Sequence, residues 1–162
     1  MYPWVVLIHV AAAFVFILAH GTSAFVSDQI RRERDPERIR ALLELSGRTL
    51  GVVYGALLTL LVAGIVAGIM GDHFGRGWIW AALVTLVVVM VLMYALASRY
   101  YARVREAVGM PSMMSRKDAP PAVAATPEQL DVLLDSRRPD AIAGVGFIGL
   151  LVILWLMVLK PF

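Results

Sequence analysis

Four stretches of this 162-residue chain contain no Asp, Glu, Lys or Arg: Met1–Ser27, Thr49–Gly71, Gly77–Ser98 and Ala141–Leu159. Crossing ~30 Å of hydrocarbon takes about 20 helical residues, and each stretch has that reach. Lipid offers no hydrogen bonds to an open backbone, so the helix is the expected form. The runs are apolar on all sides, as in Leu83–Met93, with none of the alternation of a half-buried strand. Their Val and Ile content would favour strands in water, but length overrides that preference in a bilayer. The expectation is an all-α polytopic membrane protein, an antiparallel bundle of four transmembrane helices in one domain over 1–162. Its spans fall near 4–27, 49–71, 77–98 and 141–159.

The first span resembles a signal peptide in position only. It has no basic n-region before Arg31, and its apolar run exceeds a 7–15-residue h-region, so it is expected to be retained. With no Cys in the chain, disulfides, iron–sulfur clusters, thiolate zinc sites and cysteine nucleophiles are excluded.

Lys and Arg set the orientation. Thirteen of the 15 lie in two connections, 28–48 and 99–140, while 72–76 holds only Arg76 and the C-terminus only Lys160. Both large connections are therefore expected in the cytoplasm and both termini on the extracytoplasmic side of a bacterial inner membrane. Tyr2, Trp4, Trp78, Trp80 and Trp155 fall where an outer aromatic belt belongs, and Tyr100 and Tyr101 where an inner one does. The +3 net charge invites a nucleic-acid reading, but Glu33, Asp35, Glu37 and Glu44 interrupt the arginines, and topology accounts for them.

Within the first connection, Asp35-Pro36 reads as an N-cap followed by Pro at the first helical position, giving an elbow helix over 36–48. The second is Ala/Pro-rich over 118–125. Thr126-Pro127-Glu128-Gln129 then has the pattern of a capping box, opening a short helix over 126–136. Its stripe of Leu130, Leu133 and Leu134 is expected to dock on the membrane surface or on a partner.

The spans hold neither acids nor strong bases, which disfavours proton- or sodium-coupled transport, and no catalytic set stands out. His9 and His20 remain. Eleven residues apart, they share a helix face to within ~20° and differ in depth by roughly 16 Å. As neutral imidazoles they could ligate a metal, above all haem b iron, but at that separation not the same one. They could equally hydrogen-bond across the bundle or face a quinone or lipid. Gly64 and Gly68 are expected near the depth of His9, Gly51 and Gly55 near that of His20. Their absent side chains would admit a porphyrin or, as small-xxx-small pairs, let helices approach closely. Met70 and Met157 fall near the depth of His9, Met90 and Met93 near that of His20. Met110, Met113 and Met114 offer thioethers suited to Cu(I), or simply flexible apolar contacts. His73, beside Asp72, reads as a solvated turn residue.

His9 in LIHVAAAFVF, the basic elbow, the Gly-bearing second helix, the Trp78-Ile79-Trp80 opening of the third and the terminal Leu159-Lys160-Pro161-Phe162 form one layout. It resembles a family of uncharacterised bacterial four-helix integral membrane proteins, distantly similar to HemJ-type protoporphyrinogen oxidases and to copper-resistance D-type membrane domains. The resemblance implies that His9 would occupy a haem-binding position. The third-helix Lys associated with haem in the oxidases is absent, the matching stretch reading Trp80-Ala81-Ala82-Leu83. Two functions stand as expectations. One is a non-enzymatic accessory or scaffold subunit packing against other membrane proteins or a second copy of itself. The other is a b-type haem protein handling electrons or porphyrin, with His9, and in one variant His20, as axial ligand.

Overall fold

The computed structural model describes residues 1–111 and 123–162. Met113, Met114 and most of the Ala/Pro-rich stretch lie outside the described residues. Five helices follow in order: α1 (Tyr2–Arg32), α2 (Pro36–Met70), α3 (Gly77–Ala107), α4 (Pro127–Leu134) and α5 (Arg138–Leu159). Four helical stretches are long and apolar enough to cross a membrane.

The elbow helix and the second span form one continuous helix, α2, of 35 residues. At 1.5 Å per residue it measures about 52 Å, well beyond the hydrocarbon thickness. α1 likewise continues past Ser27 and α3 past Ser98. Three helices thus extend beyond the apolar spans at the arginine-rich end and build a cap there. Ser46 and Gly47 are weak helix formers at the span boundary, yet α2 runs through both without a break because the sequence on either side is well suited to helix.

Covered positions along the long helices recur every seven residues, in steps of four and three. On α1 they run Val5, His9, Ala12, Phe16, Ala19, Ser23, Val26, Ile30, and on α2 Ile39, Leu43, Ser46, Leu50, Val53, Leu57, Leu60, Gly64. The same step appears on α3 from Ala82 through Leu86, Val89, Met93 and Leu96 to Tyr100, and on α5 from Ile142 through Gly146, Gly149 and Ile153 to Leu156. A seven-residue repeat holds one stripe of each helix against its partner, as in coiled coils. The partners are α1 with α2 and α3 with α5; contact between the two pairs is sparse. At Gly149, Val89 occupies the place a side chain would need, which sets the close approach of α3 and α5.

Buried apolar side chains collect at the two ends. At the arginine-rich end, Val26 and Ile30 of α1 meet Ile39 and Leu43 of α2, Tyr100 and Val104 of α3, Val108, and Leu130 and Leu134 of α4. The leucine stripe of α4 therefore docks on the chain's own core, not on the membrane surface or a partner. Ile39, Val104, Val108 and Leu134 are fully shielded there. At the opposite end a smaller cluster joins Trp78, Ile79 and Ala82 to Leu156. The Trp78 amide donates to the Phe162 carbonyl oxygen (3.1 Å), and Lys160 Nζ stands 5.5 Å from the centre of the Trp78 ring.

The turn between α1 and α2 is bonded throughout. Asp35 accepts the Glu37 amide at 3.0 Å, with Pro36 opening the helix. Glu33 accepts the amides of Asp35 (3.1 Å) and Arg34 (2.9 Å). These two bonds hold its carboxyl below the usual glutamate range, with Arg38 adding to the effect. Arg34 reaches Asp131 at 2.7 Å and Asp135 at 3.0 Å, tying the turn to α4. Arg31 reaches Asp140 at 2.6 Å, tying α1 to the start of α5. Exposed pairs of this kind contribute ~0–1 kcal/mol each and fix orientation more than stability. At α4 the full capping box forms, Thr126 accepting from the Gln129 amide and Gln129 from the Thr126 amide.

Two outcomes follow. Leu134→Ala is expected to cost about 2–5 kcal/mol, measured by denaturant unfolding in mild detergent, because it opens a void in a fully covered core. Glu33 binds its proton less tightly in the folded chain than in the unfolded one. Its contribution is therefore complete above the ordinary glutamate range and disappears as pH falls through the depressed folded value. The Arg34 and Asp35 amide resonances should titrate below the usual glutamate range, and Glu33→Gln should abolish that titration.

Candidate functional site at the two histidines

His9 and His20 lie on one stripe of α1, yet they meet different neighbours. The His9 Nδ1–H donates to the Leu60 carbonyl of α2 at 2.8 Å. That carbonyl is already within a helix, so the imidazole takes its second lone pair. A methyl group at Gly64 would sit 2.8 Å from His9 Cε1 and 2.9 Å from Nδ1. The absent side chain at Gly64 is what makes room for the ring in the α1–α2 seam.

The His20 ring stacks on Phe16 one turn earlier, with centroids 5.5 Å apart and planes 8° from parallel. Its Nε2 lies 3.2 Å from where a side chain on Gly146 would begin, and the Met93 sulfur lies 3.8 Å from the same point. His20 thus marks the place where α1 meets the α3–α5 pair. Three turns of α1 separate the imidazoles, and each is enclosed by its own set of helices. Nearby, Ser23 and Thr49 share a hydrogen bond at 3.0 Å across the α1–α2 seam, and Tyr101 donates to Ser27 between α3 and α1.

Haem ligation requires a flat space of porphyrin size beside an imidazole nitrogen. At His9 the Nδ1–H bond to Leu60 leaves Nε2 available, so the obstacle there is steric: the ring lies against Gly64 within the α1–α2 seam. At His20 one ring face is taken by Phe16, and Nε2 faces Gly146 and the Met93 thioether. Seating a porphyrin at either would part a close-packed seam, so the residues as packed do not fit the group. Two apolar grooves of about 400 and 500 Å³ do run along the α1–α2 pair, but neither is lined by a histidine. Among the described residues no cluster of three or more His, Cys, Asp or Glu could hold a metal ion.

The four glycines singled out in α2 divide in two. Gly64 receives His9, and Gly68 receives Phe74 and Ile79, with a side chain there coming within 2.9 and 3.0 Å of them. Gly51 and Gly55 are exposed, and among the described residues nothing beyond the adjoining backbone of α2 lies within 4 Å of a side chain placed on either. The first groove is lined by Val5, Ile8, Leu58, Thr59, Val62, Ala63 and Val66. The second, around Gly55, is lined by Ile8, Ala11, Ala12, Val15, Val52, Ala56 and Thr59. The Thr59 hydroxyl is satisfied within the helix, donating to the Gly55 carbonyl at 2.9 Å, so the surface makes no polar demand. At the chain's other turn, His73 bonds the Tyr2 hydroxyl at 3.3 Å and leans on Trp78, more engaged than a solvated turn residue would be. The close-packing glycines of α5, Gly146 and Gly149, escape a reading centred on α2; their signal was three glycines in six residues of the fourth apolar stretch. No protein-family model, curated protein or solved structure matches this chain.

Gly64→Leu should destabilise the chain by about 1–3 kcal/mol through overpacking against His9. Gly51→Leu should not lower the unfolding midpoint of the isolated chain in detergent, and its better helix propensity should raise it slightly. Equal effects of the two would refute the division.

Proposed function

We propose that this chain is a non-enzymatic membrane packing module, an accessory or scaffold subunit that presents one face of its α1–α2 pair to another membrane protein. The observation that carries this reading is the outward surface around Gly51 and Gly55. It is apolar, grooved and free of polar groups needing partners, and it gives another helix room for close approach. Supporting it, both histidines are taken up in contacts between helices.

The setting we propose is a bacterial cytoplasmic membrane, the one the family resemblance implies, with an antiparallel four-helix arrangement. The pairs His9–Leu60 and Ser23–Thr49 support opposite directions for α1 and α2, residue numbers rising on one as they fall on the other. The cap carries most of the arginines, which favours placing it in the cytoplasm and both termini outside.

Purified from its native membrane in mild detergent, the protein should migrate as part of a larger assembly and show no Soret band. A Soret band lost in His9→Ala or His20→Ala would overturn this reading in favour of the haem protein. In sealed vesicles, single cysteines replacing Glu37 and Val132 should be labelled from one side and one replacing Asp72 from the other.

A further inference from the structure

We infer that the partner seated on this face is a second copy of the same chain, with α2 lying parallel to α2 of its mate; the inference rests on the packing-module reading above. The charges at the arginine-rich end point to it. Among the described residues, every acid in 28–48 except Glu44 has an arginine partner, and every arginine of that same stretch except Arg48 has an acidic one. The pairs are Arg32–Asp28, Arg38–Glu33, Arg38–Asp35, Arg40–Glu37, Arg31–Asp140 and Arg34 with Asp131 and Asp135. Glu44 and Arg48 are both exposed and form no ion pair among the described residues.

These two stand on the same face as the open glycines. At 100° per residue, Glu44, Arg48, Gly51 and Gly55 fall within about 60° of one another around α2. Copies inserted in one membrane share a topology, so a two-fold axis along the membrane normal sets identical faces together. Glycine then meets glycine, which permits close backbone approach. Glu44 of each copy lies about 6 Å along the axis from Arg48 of the other, within side-chain reach, giving two equivalent pairs. An unrelated partner would need its own matched charges at that spacing; a second copy supplies them automatically. The glycines permit the contact, and the charge pairs fix its register and parallel sense.

The chain has no Cys, so single cysteines can report the contact in liposomes holding the full-length protein. Gly51→Cys, Gly55→Cys and Leu58→Cys should form disulfide dimers readily, and Leu154→Cys on the outward side of α5 should not. Energy transfer between labelled copies should show association weakened about tenfold by Gly55→Leu. Glu44→Arg and Arg48→Glu should each weaken it, and the double exchange should restore it. A chain that stays single at all protein-to-lipid ratios, or that cross-links best through α5, overturns the inference. In the second arm, Gly55→Cys is expressed in the native membrane. Cross-linking there to a different protein overturns self-association and leaves the packing module standing. If cross-linking fails and Gly55→Leu leaves native-gel migration unchanged, both fall.

Discussion

Helices in lipid gain nothing from hiding apolar surface from one another, because the acyl chains around them are equally apolar. The hydrophobic effect operates only where this chain meets water, and its largest core is built there. α1, α2 and α3 are all longer than the bilayer requires, and the surplus turns converge at the arginine-rich end. There Ile30, Ile39, Val104, Val108 and Leu134 are fully covered, at roughly 1.5–3 kcal/mol for each large apolar side chain taken out of water. α4 exists to close this core: eight residues, capped at Thr126 and held to the turn by Arg34. The spans themselves are aligned by the cap and then matched by shape.

Shape matching within the lipid depends on small residues. Gly149 admits Val89 between α3 and α5, Gly64 admits the His9 ring between α1 and α2, and Gly146 gives His20 a seat against the other pair. In each case a missing side chain on one helix is filled by a specific side chain from another, which yields van der Waals contact where burial yields nothing. The His9–Leu60 bond belongs to the same economy. A polar side chain in a span needs a partner, and the carbonyl that supplies one also fixes the register of α1 on α2.

The parts of this organisation that face water were legible in the sequence, and those that face only lipid were not. Asp35-Pro36 and the Thr126–Gln129 box are local devices whose hydrogen bonds lie within a few residues, so their spacing shows them directly. Four uncharged runs announce four helices for an equally direct reason, the cost of charge in hydrocarbon. The pairing of α1 with α2 and α3 with α5 has no such signature. A lipid-facing side chain and a seam-facing one are both apolar, so the hydropathy around α5 hardly varies and no face is marked as inner. Depth was readable, since His9 and Gly64 do share a level, and the shared face of His9 and His20 marked the inner side of α1; α2 carries no such mark, which is why Gly51 and Gly55 read like Gly64 in the sequence yet face the other way.

That difference in direction separates two uses of one residue type. A glycine filled by its own chain is part of the fold, and its replacement is felt wherever the protein is placed. A glycine with open space above it is neutral for the isolated chain and becomes informative only beside a second molecule. Gly51 and Gly55 are of the second kind, and Glu44 and Arg48, which form no ion pair among the described residues, continue the same face out of the lipid. The cap is joined directly to that face, because α2 runs without a break from the core residues Ile39 and Leu43 through Arg48 to Gly55. A rigid helix anchored in water at one end can present a shallow apolar groove at a fixed angle in the bilayer. In a solvent that cannot drive helices together, fixing the angle in advance is the means by which so weak a surface becomes specific.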